Sequence, residues 1–526
     1  MGLRGRERLF CLLAGAMPAL AFPPFGILPG LAGFGLLLSQ LDRDDPKPRW
    51  AAFRRGWLAG LGYFGVSTCW VVEPFLVDAR TYAWMAPFAL VLMATGLAVF
   101  WGLAGLIYRT FRPNAAWRRC LVFAGALAGM EWLRGHVFTG FPWDLPGEVW
   151  KSGTAPSQLA SVIGAYGLTF VTLALAACSA AFWDRKDRGD RIWAGLVILA
   201  GLAGLYGWGS LRLAEARPPE VTAPVIRLVQ ANIDQKTKWR AENLDMIFAT
   251  YLDLTTRPGA RTPDVVVWPE GALPAVIDDL LQPGSPYLSR LTLALKPGQT
   301  LMMGANRAGY GPEGQTLYFN SLVALRREAS GELSLSGVYD KHRLVPFGEF
   351  LPLGRLAGQV GLRSLVHMPE DFTPGPSPKI MTLPGLPALQ PLICYEALFP
   401  GFMAEARALG GHRPAWILNV SNDAWFGSTS GPWQHLNMAG YRAIEEGLPL
   451  ARATPTGVTV MLDAYGRAVG GHRLGLGSLG IIDAPLPRAL GPTPYSRWGD
   501  RFLFLMLIGS ALLAGYKDFF IGLRKA

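Results

Sequence analysis

Three short segments that read as strand ends carry reactive side chains: Asp264-Val-Val-Val-Trp-Pro-Glu270, Tyr339-Asp-Lys341-His342-Arg343 and Pro391-Leu-Ile-Cys394-Tyr395-Glu396. A thiol can attack a carbonyl carbon, a carboxylate can take and return its proton, and an ammonium can face the negative charge that develops on the attacked oxygen. Together they suit acyl transfer through a covalent intermediate. Taken singly, each has a plainer reading. A cysteine at a strand end is commonly core filler, and Glu and Lys are commonly exposed or salt-bridged. The joint pattern favours chemistry.

The elements that would position these groups are legible around them. Short β-rich runs at 225–229, 264–268, 301–304, 321–325, 389–394, 416–420 and 457–462 alternate with helical patterns near 239–254, 276–296, 397–409 and 434–447. That alternation predicts one compact α/β domain over residues 222–490, with the three strand ends converging on one edge of a sheet. A helix starting at Glu396 would put the Cys394 sulfur near its N-terminus, where the partial positive charge and a nearby ammonium favour thiolate. Glu349 suits a second carboxylate holding Lys341, against a solvent-facing loop charge. Glu396 reads equally as a first-turn helix residue or a catalytic one, and Tyr395 as a substrate contact or core packing. Trp425 and Phe426 read as part of an apolar entrance or as core. His342 and His435 invite a Cys-His pairing, but His342 adjoins Lys341 and would point to the opposite face of a continuing strand. Six scattered histidines and the spacing of Cys11, Cys69, Cys120, Cys178 and Cys394 suggest no metal and no disulfide framework. No cofactor is expected.

The rest of the chain is of another texture. Of 526 residues, 51% are hydrophobic and only 17% charged, against about 25% in soluble domains, which argues against a wholly soluble protein and excludes a disordered one. Apolar runs at 9–22, 25–41, 56–76, 84–108, 119–133, 163–183, 192–209 and 502–522 approach the length needed to cross a roughly 30 Å hydrocarbon core. They predict about eight spans: seven in a membrane domain over 1–210 and one C-terminal helix at 502–522. Lys and Arg alternate by loop, clustering at 4–8, 43–55, 109–119, 185–191 and 517–525, with only Arg80 after the third run. By the positive-inside rule both termini are cytoplasmic and the 210–500 segment lies outside. This placement accounts for most of the +11 net charge without nucleic acid. Ala19-Leu20-Ala21 after an Arg-rich start also fits a cleavable signal peptide, but apolar sequence resumes at once at Phe22, so a pair of spans is simpler. Glu73 and Glu131 lie near span ends rather than mid-span, which argues against a transporter. Segment 350–368 is apolar and hinged by glycines, and reads as a lid that dips into the outer leaflet.

With these residues in view, Trp268-Pro269-Glu270, Lys341-His342 and Cys394-Tyr395-Glu396 resemble, in order, the three motifs of the nitrilase superfamily of carbon–nitrogen hydrolases. The seven preceding spans, the following one, Leu344-Val345-Pro346-Phe347-Gly348-Glu349, Ser421-Asn422-Asp423-Ala424-Trp425-Phe426-Gly427 and Gln434-His435 narrow the resemblance to the apolipoprotein N-acyltransferase family. The resemblance implies a polytopic α-helical membrane domain joined to an αββα sandwich with a Glu-Lys-Cys triad, here Glu270, Lys341 and Cys394. It implies that Trp239 stands near the site entrance, against an ordinary helix-start aromatic. It further implies a bacterial inner-membrane enzyme with a periplasmic catalytic domain. A phospholipid, phosphatidylethanolamine above all, would be the acyl donor, and a diacylated apolipoprotein the acceptor. A membrane-tethered amidase that passes the acyl group to water is the rival within the superfamily.

Overall fold

The computed structural model describes residues 5–184, 188–351 and 371–523. The chain divides into two compact units: residues 1–216 with 444–446 and 492–526, and residues 217–443 with 447–491.

The first unit is helical. The eight apolar runs fall on or beside helices, but only Ala79–Thr110, Pro156–Trp183 and Arg188–Ala214 are long and apolar enough to cross a membrane. A fourth span results if Pro48–Ser67 and Cys69–Val77, bent by 63°, count as one. Eight spans were expected from the sequence; by length and composition, three or four are present among the described residues. The shortfall has physical causes. Gly5–Ala19 is only 15 residues long, and Ala116–Arg134 carries Arg118, Arg119, Glu131 and Arg134. In the latter, Glu131 and Arg134 are fully buried and paired with each other, and Trp101 Nε1 donates to Glu131 Oε1 at 2.7 Å. Small residues let these helices approach closely: a Cβ on Gly60 would sit 2.8 Å from the Ala98 Cα.

In the second unit eleven strands among the described residues form two sheets. The first contains β1 (Val225–Gln230), β2 (Val265–Trp268), β3 (Thr300–Tyr310), β4 (Thr316–Arg327), β5 (Leu333–Asp340) and β11 (Gly480–Pro485), in the order β11-β1-β2-β3-β4-β5. The second contains β6 (Leu389–Ile393), β7 (Trp416–Val420), β8 (Leu450–Ala453), β9 (Thr459–Leu462) and β10 (Ala468–Leu474), in the order β10-β9-β8-β7-β6. The strand alternation explains the layering. Ile226, Leu228, Val265, Val267, Met302, Leu322 and Ala324 point to a shared core with Leu389, Ile393, Leu418, Val420 and Ala451 of the other sheet. Their neighbours Val229, Val266, Trp268, Leu301, Met303 and Val323 point the other way, onto Phe248, Tyr251 and Leu254 of the helix Leu244–Thr256. Arg227 caps that helix: Nη1 donates to the carbonyls of Thr255 and Arg257 at 2.7 and 2.6 Å, while its other nitrogens pair with Asp483. The two sheets sharing one core, with a helix outside, give the nitrilase-like half of the expected architecture.

Candidate active site

The reactive strand ends come from both sheets rather than from one edge of a single sheet: β2 and β5 of the first, which run the same way because β3–β4 and β4–β5 are antiparallel pairs, and β6 of the second. β2 runs parallel to β1 and β3, and its last residue, Trp268, is followed by Pro269 and Glu270. Close approach to β3 is possible because residue 304 is glycine: a Cβ there would stand 2.7 Å from the Pro269 oxygen and 2.8 Å from the Glu270 nitrogen. β5 ends at Asp340, and Lys341 N–H still bonds across to the Asn320 carbonyl of β4 at 2.8 Å. β6 ends at Ile393, and Cys394 takes φ +48°, in the left-handed region that few non-glycine residues adopt. Such a backbone persists only where its surroundings over-determine it.

Glu270, Lys341 and Glu349 form one buried charge cluster. Lys341 Nζ lies 2.8 Å from Glu349 Oε2 and 3.3 Å from Glu270 Oε1. Asn320 Nδ2 donates to Glu270 Oε1 and to Glu349 Oε1, each at 2.7 Å. The Asn422 N–H closes the other Glu270 oxygen at 2.6 Å, and the Val345 N–H donates to Glu349 Oε2 at 2.8 Å. Burial alone would lower the pKa of Lys341, but Glu270 and Glu349 hold it well above an ordinary lysine. A fixed ammonium results. The Cys394 thiol is pushed the other way from the sequence expectation: burial, then the Glu270 carboxylate, raise it well above an ordinary cysteine, with Lys341 and a Ser421 hydrogen bond opposing. The expected helix at Glu396 is a five-residue 3₁₀ turn, Cys394–Leu398, too short for a helix-end charge to offset desolvation. Cys394 therefore rests as a thiol, under the influence of the Glu270 carboxylate.

Glu396 proves to be a brace. Its carboxylate accepts from Tyr339 Oη at 2.8 Å and from the N–H groups of His342, Arg343 and Ile393 at 2.7, 3.2 and 2.8 Å. It thus ties the turn carrying Cys394 to the segment carrying Lys341; burial raises its pKa and these bonds oppose. The Tyr395 ring packs edge-on to Phe399, with centroids 5.1 Å apart. Phe426 is buried and stands edge-on to His435 at 5.6 Å, while Trp425 beside it in the turn Asp423–Phe426 is half-buried. Trp239 is half-buried, with Lys238 Nζ 5.7 Å from its ring centroid. The Cys-His pairing does not form through His435, whose Nε2 lies 3.1 Å from the Cys394 carbonyl oxygen. Segment 352–368 of the expected lid lies outside the described residues.

Two residues of this site carry no sequence signal. Asn320 sits inside a strand that reads as ordinary β structure, and only the pairing of β4 with β5 reveals that it spans both carboxylates. Lys238 is buried and donates to the carbonyl of Gly271, next to Glu270; burial lowers its pKa to about 8, against the pull of Glu270. Lys238 stands in a polar run before Trp239, with nothing in its neighbours to mark a buried side chain.

Comparison with known proteins agrees with both halves. Residues 14–178 match the family model described as apolipoprotein N-acyltransferase N-terminal domain, and residues 225–493 the one described as carbon-nitrogen hydrolase. The apolipoprotein N-acyltransferase of Caulobacter vibrioides is 53% identical, covering 97% of this chain and 96% of its own. That of Rhodopseudomonas palustris is 37% identical, covering 94% and 92%. Among solved structures, an amidase from Nesterenkonia sp. AN1 aligns at 20% identity with a TM-score of 0.34, covering 50% of this chain and 93% of its own. On its motifs, its two matched regions and its full-length relatives, the chain belongs to the apolipoprotein N-acyltransferase family.

Proposed function

We propose that the protein transfers a fatty acyl group from a phospholipid, phosphatidylethanolamine above all, through a thioester on Cys394 to the N-terminal amine of a diacylglyceryl-cysteine lipoprotein. The observation that carries this reading is the buried pairing of a protonated thiol with a carboxylate and a fixed ammonium. Glu270 accepts the thiol proton as Sγ bonds to the ester carbonyl carbon, and Lys341 faces the oxyanion. Collapse breaks the ester C–O bond, and the proton on Glu270 goes to the departing glycerol oxygen. The lysophospholipid leaves and the acyl group stays on sulfur. In the second half the lipoprotein amine attacks the thioester carbon and Glu270 takes the amine proton. The C–S bond then breaks, and that proton returns to sulfur. Glu349 and Asn320 hold Lys341 and Glu270 in register, and Glu396 holds the two halves of the site together. Trp239, Tyr395, Trp425 and Phe426 are proposed as the apolar surroundings of the acyl chain.

The same reading makes 1–210 a seven-span domain of the bacterial inner membrane, 222–490 a periplasmic catalytic domain and 502–522 a closing span, with both termini cytoplasmic. The test is intact mass after exposure to phosphatidylethanolamine without acceptor. An acyl adduct, mapped to Cys394, removed by hydroxylamine and discharged by a diacylated lipopeptide, is expected. Discharge by water at the same rate as by the lipopeptide would favour a hydrolase instead, and no adduct at all would overturn the thioester.

A further inference from the structure

Behind Cys394 lies a buried polar chain that the acyl-transfer steps do not use. Arg452, on β8, grips Asp423 with Nη2 at 2.9 and 2.7 Å from its two carboxylate oxygens, and also reaches Asn419 of β7. Asp423 Oδ1 accepts from the Ser421 hydroxyl at 2.8 Å and faces His435 Nδ1 at 3.0 Å. His435 Nε2 in turn faces the Cys394 carbonyl oxygen at 3.1 Å. Asp423, His435 and Arg452 are essentially inaccessible to solvent.

We propose that His435 is a positioning residue for the nucleophile: its ring is a strut from the Asp423–Arg452 ion pair to the backbone of Cys394, and it fixes the left-handed turn that aims the sulfur. This rests on Cys394 being the acylated residue. Three features carry it. The Cys394 φ of +48° needs outside support, and the carbonyl of that same residue is where the ring lands. The Cys394 carbonyl oxygen and the Asp423 carboxylate can both only accept, so a ring that holds the two at once presents an N–H from each nitrogen, the imidazolium form that the Asp423 charge favours and burial and Arg452 oppose. The far end is anchored: burial would raise the pKa of Asp423, but Arg452 and His435 hold it well below the carboxylate range, so its charge persists. Burial and then Arg452 lower the pKa of His435, while Asp423 and the two hydrogen bonds oppose. The helix Gly431–Glu446, which carries His435, supplies a rigid mount.

The test compares His435→Phe, which keeps a ring but removes both nitrogens, with His435→Gln, which keeps one amide donor, and with Cys394→Ala. Single-turnover acylation by phosphatidylethanolamine is followed by intact mass, KM for the lipid is measured, and Cys394 alkylation by iodoacetamide is timed on the folded protein. His435→Phe should acylate at least about tenfold more slowly with KM within about twofold, alkylation should slow in parallel, and His435→Gln should recover part of the rate. Full-rate acylation by His435→Phe, or equal slowing of both variants, would overturn the strut. If His435→Phe does not fold, His435→Gln decides alone: slowed acylation and alkylation at unchanged KM and melting temperature supports the strut, and a wild-type rate overturns it. Retained transfer by Cys394→Ala would instead bring down the thioester reading itself.

Discussion

Lys341 makes its tighter ion pair with Glu349, at 2.8 Å, and its looser one with Glu270, at 3.3 Å. The division matters, because a carboxylate that must take up a proton cannot also be the sole counter-ion of a buried ammonium. In the proposed cycle the closer Glu349 would keep the ammonium paired while Glu270 takes up and returns the proton.

Glu349→Gln removes that partner while keeping the shape and the acceptor oxygen that meets the Val345 N–H. Lys341 is then expected to lean on Glu270, and acylation of Cys394 by phospholipid should slow by about 10- to 100-fold with KM little changed. Stopped-time intact-mass measurements check it. A rate within twofold of wild type would show that Glu349 is only a loop charge.

The raised thiol pKa of Cys394 predicts an unusual pH profile. Burial and the Glu270 charge favour the neutral thiol in the folded protein, so its stabilising contribution is full below the unfolded value of about 8.5 and is lost as pH rises through the higher folded value. Alkylation by iodoacetamide should still be climbing at pH 10 in the wild type. Glu270→Gln removes the negative charge, so its thiol ionises at lower pH; it should alkylate faster than wild type near pH 9 and yet form no thioester. Lys341→Met removes the opposing cation and should alkylate more slowly there. Slower alkylation of Glu270→Gln at pH 9 would mean that the carboxylate does not act on the sulfur.

Glu270 and Cys394 were legible in the sequence because each follows an apolar run that marks a strand, whereas Lys341 follows the mixed-polarity strand β5 and was legible only through its motif; that the three ends meet from two different sheets is written in no single run. Asn320 was not legible, since its role depends on β4 lying beside β5, a partnership that no local pattern encodes. The ionisation of Cys394 was misjudged for a related reason. The sequence after it resembles a helix start, but Pro400 and Gly401 limit it to a short turn, and desolvation then outweighs any helix-end charge. The eight-span count accepted runs near spanning length and did not weigh charges inside helices such as Ala116–Arg134, whereas length and composition together mark three or four spans among the described residues.

The loop charges make orientation testable. Thr154 and Gly189 are both exposed and fall on opposite sides in the proposed topology. With Cys69→Ser as background, Thr154→Cys should react with an impermeant thiol reagent in intact spheroplasts, and Gly189→Cys only after lysis. The reverse pattern would invert the membrane unit and place the catalytic domain in the cytoplasm.

Gly304→Ala tests whether the backbone approach of β3 sets the position of Glu270. Gly304 is paired with Leu322 of β4, and its carbonyl accepts from the Ala272 N–H at 3.0 Å, so the strand itself has little freedom to retreat. An added Cβ, 2.7 Å from the Pro269 oxygen, must therefore displace the Pro269–Glu270 segment. Overpacking of this kind costs about 1–3 kcal/mol of stability, while a shift of about 1 Å in a proton-transferring carboxylate costs about 100-fold in rate. The variant should thus melt a few degrees lower, remain folded, and acylate Cys394 at least about tenfold more slowly. Lowered stability with an undiminished acylation rate would show that Glu270 is held by Asn320, Asn422 and Lys341 and does not depend on the strand beneath it.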